Sequence, residues 1–290
     1  MRWLILFIPL FFIACGADTE NDHLSALENA YEAEPTDDQF LELLNGYYEE
    51  IMPDPKTPEA KKVMVRAAEF SAKIDRKNAA IGFLNTLVKE FYDDEETPER
   101  VAELASYLDE LGKNKASEML KRCFIRAFDE HPLAGSFRNE LDDPEMPLDT
   151  FITQLGLSMF TKDNKGIDPS VARAYVDACE AYALVLPKDP KAVDYLQKGS
   201  EMARTLNDIE KALSLYDWII NEYPQHPKAP QALFLKAFTF DNNLKDYENA
   251  RKYYEEFLER YPDDDFADDT KFLLQNLGKS DEEILQQLQE

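Results

Sequence analysis

The chain has 290 residues, 58 acidic against 32 basic side chains for a formal net charge of −26, and 44% hydrophobic and 12% aromatic residues. The aromatic share excludes a disordered acidic tail, and the surplus of negative charge repels phosphate and excludes a nucleic-acid binder. Nine glycines, under half the usual share of about 7%, argue against Gly-rich nucleotide loops and β-hairpin folds.

Residues 1–14 carry one charge, Arg2, ahead of an apolar run from Trp3 to Ile13, followed by Ala14 and Cys15. Eleven residues are too few to span a bilayer, which takes about 20, but they suit the apolar core of a secretory signal. Phe12-Ile13-Ala14-Cys15 resembles the bacterial lipobox. That resemblance implies cleavage before Cys15 and acylation of its thiol and new amine; several acyl chains together anchor a protein stably where one does not. Gly16 in place of Asp points to the outer membrane, facing the periplasm, with surface exposure as the alternative. Residues 15–36 read as an acidic tether, and Phe40–Ile51 as an N-terminal capping helix.

The body shows internal similarity. Residues from Lys191 match residues from Lys228 at an offset of 37, which becomes 38 past a one-residue insertion. Ala212 pairs with Ala250, Tyr216 with Tyr254, Tyr223 with Tyr261 and Pro224 with Pro262. Each copy reads as two helices around a polar turn, ended by Tyr-Pro, because proline cannot continue a helix. A small residue with an aromatic four positions on lets the second helix approach the first closely. Weaker copies open at Pro58 (Ala68, then Ala80, Leu84, Leu87) and at Pro98 (Tyr107, then Ala116, Leu120, Cys123). Residues 141–168 read as an irregular connector holding a short helix from 148, and a long Ala-rich helix runs from about Ser170 to Leu186. Nothing alternates with period two, so the expected fold is all-α. The divisions are a signal at 1–14, the tether, helical repeats at 37–140, the connector, repeats at 169–279 and a last helix at 280–290.

The Ala-Tyr-Pro spacing resembles the tetratricopeptide repeat, here longer than the usual 34 residues. The resemblance implies a stack of helix pairs, an α-solenoid, whose first helices line a concave groove for peptides or folded partners. Within the last third, the chain looks like the repeats of Tol-Pal-associated periplasmic proteins and of the lipoprotein scaffold of outer-membrane β-barrel assembly. The ending is similar to lipid-anchored repeat proteins of Bacteroidetes. Mapping the repeat places Gln231, Phe234, Phe238, Asp241 and Asn242 on the groove side, with Asp194, Gln197, Glu201 and Arg204 in the preceding copy. Phe234 and Phe238 either anchor an apolar side chain of a ligand or pack on the following helix.

Catalytic chemistry has no motif behind it. His23, His131 and His226 stand apart from any metal-ligand spacing, and no H-E-x-x-H, G-x-S-x-G or phosphate-cradling loop occurs. Cys123 and Cys179 suit small packed positions, with a disulfide between them as the alternative in an oxidising compartment. Asp163–Asp168 lacks the alternating ligands and final Glu of a calcium loop, and Asp263–Asp265 with Asp268 and Asp269 suits a helix N-terminus. The expectation is a lipid-anchored scaffold without catalytic residues, metal or cofactor. Its partners would be envelope proteins or peptide segments, and its membrane contact would run through Cys15. The alternatives are a glycan- or nutrient-binding protein and an envelope hydrolase.

Overall fold

In the computed structural model, residues 17–160, 166–279 and Glu283 are described, with side chains from His23 onward. The signal segment with Cys15, and the tail 280–290 apart from Glu283, lie outside the described residues. The chain divides into two units between Glu90 and Phe91, within the stretch expected to form one set of N-terminal repeats.

The first unit holds α1 (Ala17–Ala33), α2 (Asp37–Ile51), α3 (Pro58–Lys73) and α4 (Lys77–Glu90), each packed on the next. Threonines start two of them: the Gln39 N–H donates to Thr36 Oγ1 (3.2 Å) and the Ala60 N–H to Thr57 Oγ1 (3.1 Å), satisfying amides that a helix start leaves open. The segment 15–36 expected as an acidic tether is mostly the helix α1. Leu24 and Tyr31 are buried, at a spacing that puts both on one helix face. Gly46 of α2 lies where an added Cβ would overlap Leu27 Cδ1, so a glycine lets α1 close onto α2. Arg66 of α3 clamps α1 from the other side, donating to Glu28 Oε1 (2.7 Å), Glu28 Oε2 (2.9 Å) and Ser25 Oγ (2.8 Å).

The second unit contains α5 (Thr97–Glu110), α6 (Asn114–Ala127), α7 (Pro132–Glu140), α8 (Leu148–Ser158), α9 (Pro169–Val185), α10 (Ala192–Thr205), α11 (Ile209–Glu222), α12 (Ala229–Thr239), α13 (Tyr247–Arg260) and α14 (Ala267–Gln275). One turn geometry recurs through it. At Phe91, Phe128, Leu186, Tyr223 and Tyr261 the carbonyl accepts the N–H three residues on, at 2.9–3.2 Å. The four of these residues that cap α6, α9, α11 and α13 share φ from −134 to −123° and ψ from 46 to 54°. A shared helix ending marks equivalent second helices, so these turns are the repeat boundaries. Their spacing is 37, 58, 37 and 38 residues. The long interval includes the connector 141–168, which therefore lies within a repeat rather than between two sets. There α8 is an additional helix between α7 and α9; it packs on α9, and α9 packs directly on α6 to continue the stack.

The turns inside the pairs use left-handed residues: Asp75 (φ 61°), Gly112 (φ 73°), Asn207 (φ 59°) and Lys245 (φ 55°). At the first three, the next N–H reaches the carbonyl five residues back, at 2.8–2.9 Å, which closes the helix end. The copy carrying the one-residue insertion differs. A π-turn at Phe240–Leu244 takes up the additional residue, and the Asp246 N–H reaches back six, to Phe240 O (2.9 Å). Lys245 is the least suited residue of the four, because a long side chain at positive φ meets its own backbone. Lys245→Gly is expected to raise stability by about 1 kcal/mol, read as a higher urea midpoint at unchanged slope.

Ala212, Tyr216, Ala250 and Tyr254 are fully buried, so each pair closes small residue to helix as the spacing predicts. Gly199 does the same for α10, since a Cβ there would lie 3.3 Å from Cys179 Cβ and 3.3 Å from Leu215 Cδ1. Cys123 and Cys179 are free and buried. Among the described residues no strand forms beyond a single bridge between Phe160 and Ile167. The architecture is all-α, a solenoid of helix pairs.

Candidate peptide-binding groove

The groove candidates sit on the first helices of the last two full pairs, α10 and α12. At their N-terminal ends Lys228 Nζ lies 2.6 Å from Asp194 Oδ1. One turn further along, the Gln197 side-chain amide donates to Gln231 Oε1 (2.7 Å) across the two helices and to Glu201 Oε1 (3.0 Å) along its own. Gln197 is 8% exposed, and its Oε1 is buried with no protein donor. A buried amide oxygen without a donor is costly; here it belongs to the same amide that links the helices. Buried Lys236 donates to Asp217 Oδ1 (2.5 Å) and ties α12 to α11.

An aromatic row continues from this polar chain. The Phe234 ring stacks on Phe266 (4.7 Å, 23° between planes) and lies near parallel to Phe238 (6.2 Å, 16°). All three are half-buried. Phe234 also meets Phe257 edge-on (6.1 Å) and Tyr254 (6.3 Å), so it packs on the following helix as well as on its own neighbours. Phe266 lies outside the residues that the repeat mapping selects. It occupies the position before the first helix that Lys191 and Lys228 hold in the earlier copies, so the aligned repeats do single it out.

The remaining candidates part from this row. Arg204 turns toward the Tyr216 hydroxyl: burial raises that phenol, and the Arg204 charge and the Ser200 hydroxyl oppose the rise. The repeat pattern puts Asp241 and Asn242 on the same side as Phe234 and Phe238. The helix instead ends at Thr239 and the π-turn carries both. The Tyr254 hydroxyl donates to Asp241 Oδ2 (3.3 Å), and burial raises the Asp241 carboxyl despite that bond. Asn242 is exposed.

Groups suited to covalent or metal chemistry are occupied in holding turns or the core. His131 Nδ1 accepts the Leu133 N–H (3.3 Å) and His226 Nδ1 the Lys228 N–H (3.2 Å). Asp264 takes the equivalent place, accepting the Phe266 N–H (3.0 Å). Asp168 caps α9 through the Ser170 N–H (2.8 Å), while residues 161–165 of the calcium-like stretch lie outside the described residues. Burial pushes the Cys179 thiol up to about 12 and the Cys123 thiol higher still, which keeps both protonated and poorly nucleophilic. Among the described residues no group of three or more His, Cys, Asp and Glu is placed to hold a metal ion, and no helix is long and apolar enough to cross a membrane.

Residues 231–264 match the tetratricopeptide repeat family. The match covers α12 from Gln231, the π-turn, α13 and the start of the turn that leads to α14. No curated protein is similar enough to the chain to be paired with it.

Proposed function

We propose, from the premise that the chain carries a tetratricopeptide repeat within a stack of helix pairs, that it is a non-catalytic protein-binding scaffold of the bacterial cell envelope, lipid-anchored through Cys15. It stands at the outer membrane facing the periplasm, and its partners are envelope proteins presenting an extended segment. One observation carries the binding mode. The cross-helix polar chain of the Glu201 carboxylate and the Gln197 and Gln231 amides runs into the aromatic row Phe238–Phe234–Phe266. Amides suit the backbone of an extended peptide, and half-buried rings suit an apolar side chain of it. The lipobox resemblance supports the anchor, and stacked pairs present the extended concave surfaces such proteins use. The buried, protonated thiols and the turn-capping histidines support a role without catalysis.

Mass spectrometry of partners captured by crosslinking in intact envelopes tests this reading. Wild-type chain is expected to recover a defined partner that a Cys15→Ser control does not, and incorporation of a labelled fatty acid should require Cys15. Gln231→Ala with Phe238→Ala is expected to lower recovery about tenfold, the loss typical of central interface residues, while the chain stays folded at the assay temperature despite the lost Gln197–Gln231 bond. Equal recovery from Cys15→Ser removes the anchor from the proposal. Equal recovery from the double variant removes the groove.

A further inference from the structure

The helix α2 carries a second surface that the groove does not use. Leu41, Leu44, Tyr48 and Met52 follow one another at helical spacing. Leu41 is 58% exposed, Tyr48 45% and Met52 70%. They form an apolar stripe about 16 Å long. Its middle is held in place, because the Tyr48 ring lies on Phe83 of α4 (5.4 Å, 32° between planes). The opposite face of the helix, with Leu43, Gly46 and Tyr47, is already buried in the unit, and packing within the unit leaves the two ends of the stripe, Leu41 and Met52, largely uncovered.

Charge identifies what fits there. At 100° per residue, Asp38, Glu42 and Glu49 lie along one side of the stripe as a rail of carboxylates. Asp37, nearby, is already paired with Arg76 (2.7 Å). An apolar stripe with an acidic rail complements a helix that has an apolar face edged by Lys or Arg. Two other occupants fit less well. A second copy of the chain brings the same net charge of −26 and would set a like-charged rail against this one. An anionic lipid surface is repelled by the rail.

We infer that the exposed face of α2 is a docking site for a basic amphipathic helix of a partner protein. The site is independent of the groove on α10 and α12, and each is tested without the other.

The probe is an 18-residue peptide of leucine, alanine and lysine patterned as an amphipathic helix, with a scrambled peptide of the same composition as control. Full-length protein labelled with carbon-13 at the methionine methyls is titrated with each. The patterned peptide is expected to shift the Met52 methyl saturably and leave buried Met64 and Met119 unmoved, while the scrambled one leaves Met52 in place. Leu41→Ser with Met52→Ser should weaken binding at least tenfold, and Glu42→Lys and Glu49→Lys about threefold each. Gln231→Ala should leave this binding unchanged. Sedimentation and flotation with vesicles of 30% phosphatidylglycerol cover the rival occupants. The inference is overturned by equal binding of the scrambled peptide or by an unmoved Met52 methyl. A dimer, or vesicle binding, that Met52→Ser abolishes overturns it as well.

Discussion

Tyr254→Ala is expected to destabilise the second unit by about 3–5 kcal/mol, the range for deleting a large buried aromatic. The side chain is fully buried against Ala237 and Ala250, and a neighbouring ring, Phe234, rests 6.3 Å from it. In a stack of pairs each repeat leans on its neighbours, so the damage should concentrate in α12–α14. Hydrogen exchange there should rise before it rises in α5 or α6. Tyr254→Phe separates the ring from the hydroxyl: it removes only the bond to Asp241 and should cost about 0.5–1.5 kcal/mol. Urea melts of the two variants check both values. A loss under 1 kcal/mol for the alanine variant would mean that the ring does not organise the last repeat. Because Phe234 packs on the same ring, the alanine variant should also lose groove binding, which the phenylalanine variant keeps.

Glu28→Ala is expected to release α1 from the first unit at a cost of about 2–3 kcal/mol. Wholly buried pairs cost about 3–5 kcal/mol to break; here the Arg66 side chain retains a quarter of its exposure, so water compensates part of the loss. The variant leaves the Arg66 guanidinium and the Tyr47 hydroxyl without their shared acceptor. Acid should act in the same direction. Burial alone would raise the Glu28 carboxyl, but hydrogen bonds from Arg66 and Tyr47, with the charges of Arg66 and Lys73, overcome it and hold the carboxyl below its ordinary range. A depressed carboxylate contributes stability that is complete above its unfolded pKa, about 4.3, and is lost as pH falls through the lower folded value. Exchange protection of residues 23–33 should therefore fall as the pH drops below about 4. Glu28→Gln should flatten that dependence. An unchanged acid profile in Glu28→Gln would assign the loss to other carboxylates.

Much of the architecture is legible in local pattern. The Ala-Tyr-Pro spacing of the last two full copies is a property of single helices and their ends, so it marks α11 and α13 and the turns after them without any tertiary information. The same holds for Pro58 and Pro98 as helix starts, and for Cys123 and Cys179 as small packed residues. The misses have a common cause. α1 shows Leu24, Leu27 and Tyr31 in correct register, but the acidic residues around them mask the stripe until Gly46 and Arg66 arrive from other helices. The repeat from Phe128 to Leu186 is hidden because α8 lengthens it, and only the recurring turn geometry identifies its ends. The π-turn that carries Asp241 and Asn242 is equally illegible, because a one-residue insertion does not announce whether it lengthens a loop or winds a helix wider.

The sequence by itself determined an all-α stack of helix pairs, because helix periodicity, small-residue positions and proline stops act over neighbouring residues. Only the tertiary structure decided that the acidic segment folds as α1, where the solenoid divides, and which groove candidates meet. Those outcomes rest on partners far apart in the chain, as Glu28 and Arg66 are by 38 residues and Gln197 and Gln231 by 34. No local preference selects such partners; they are brought together only when the helices that carry them pack.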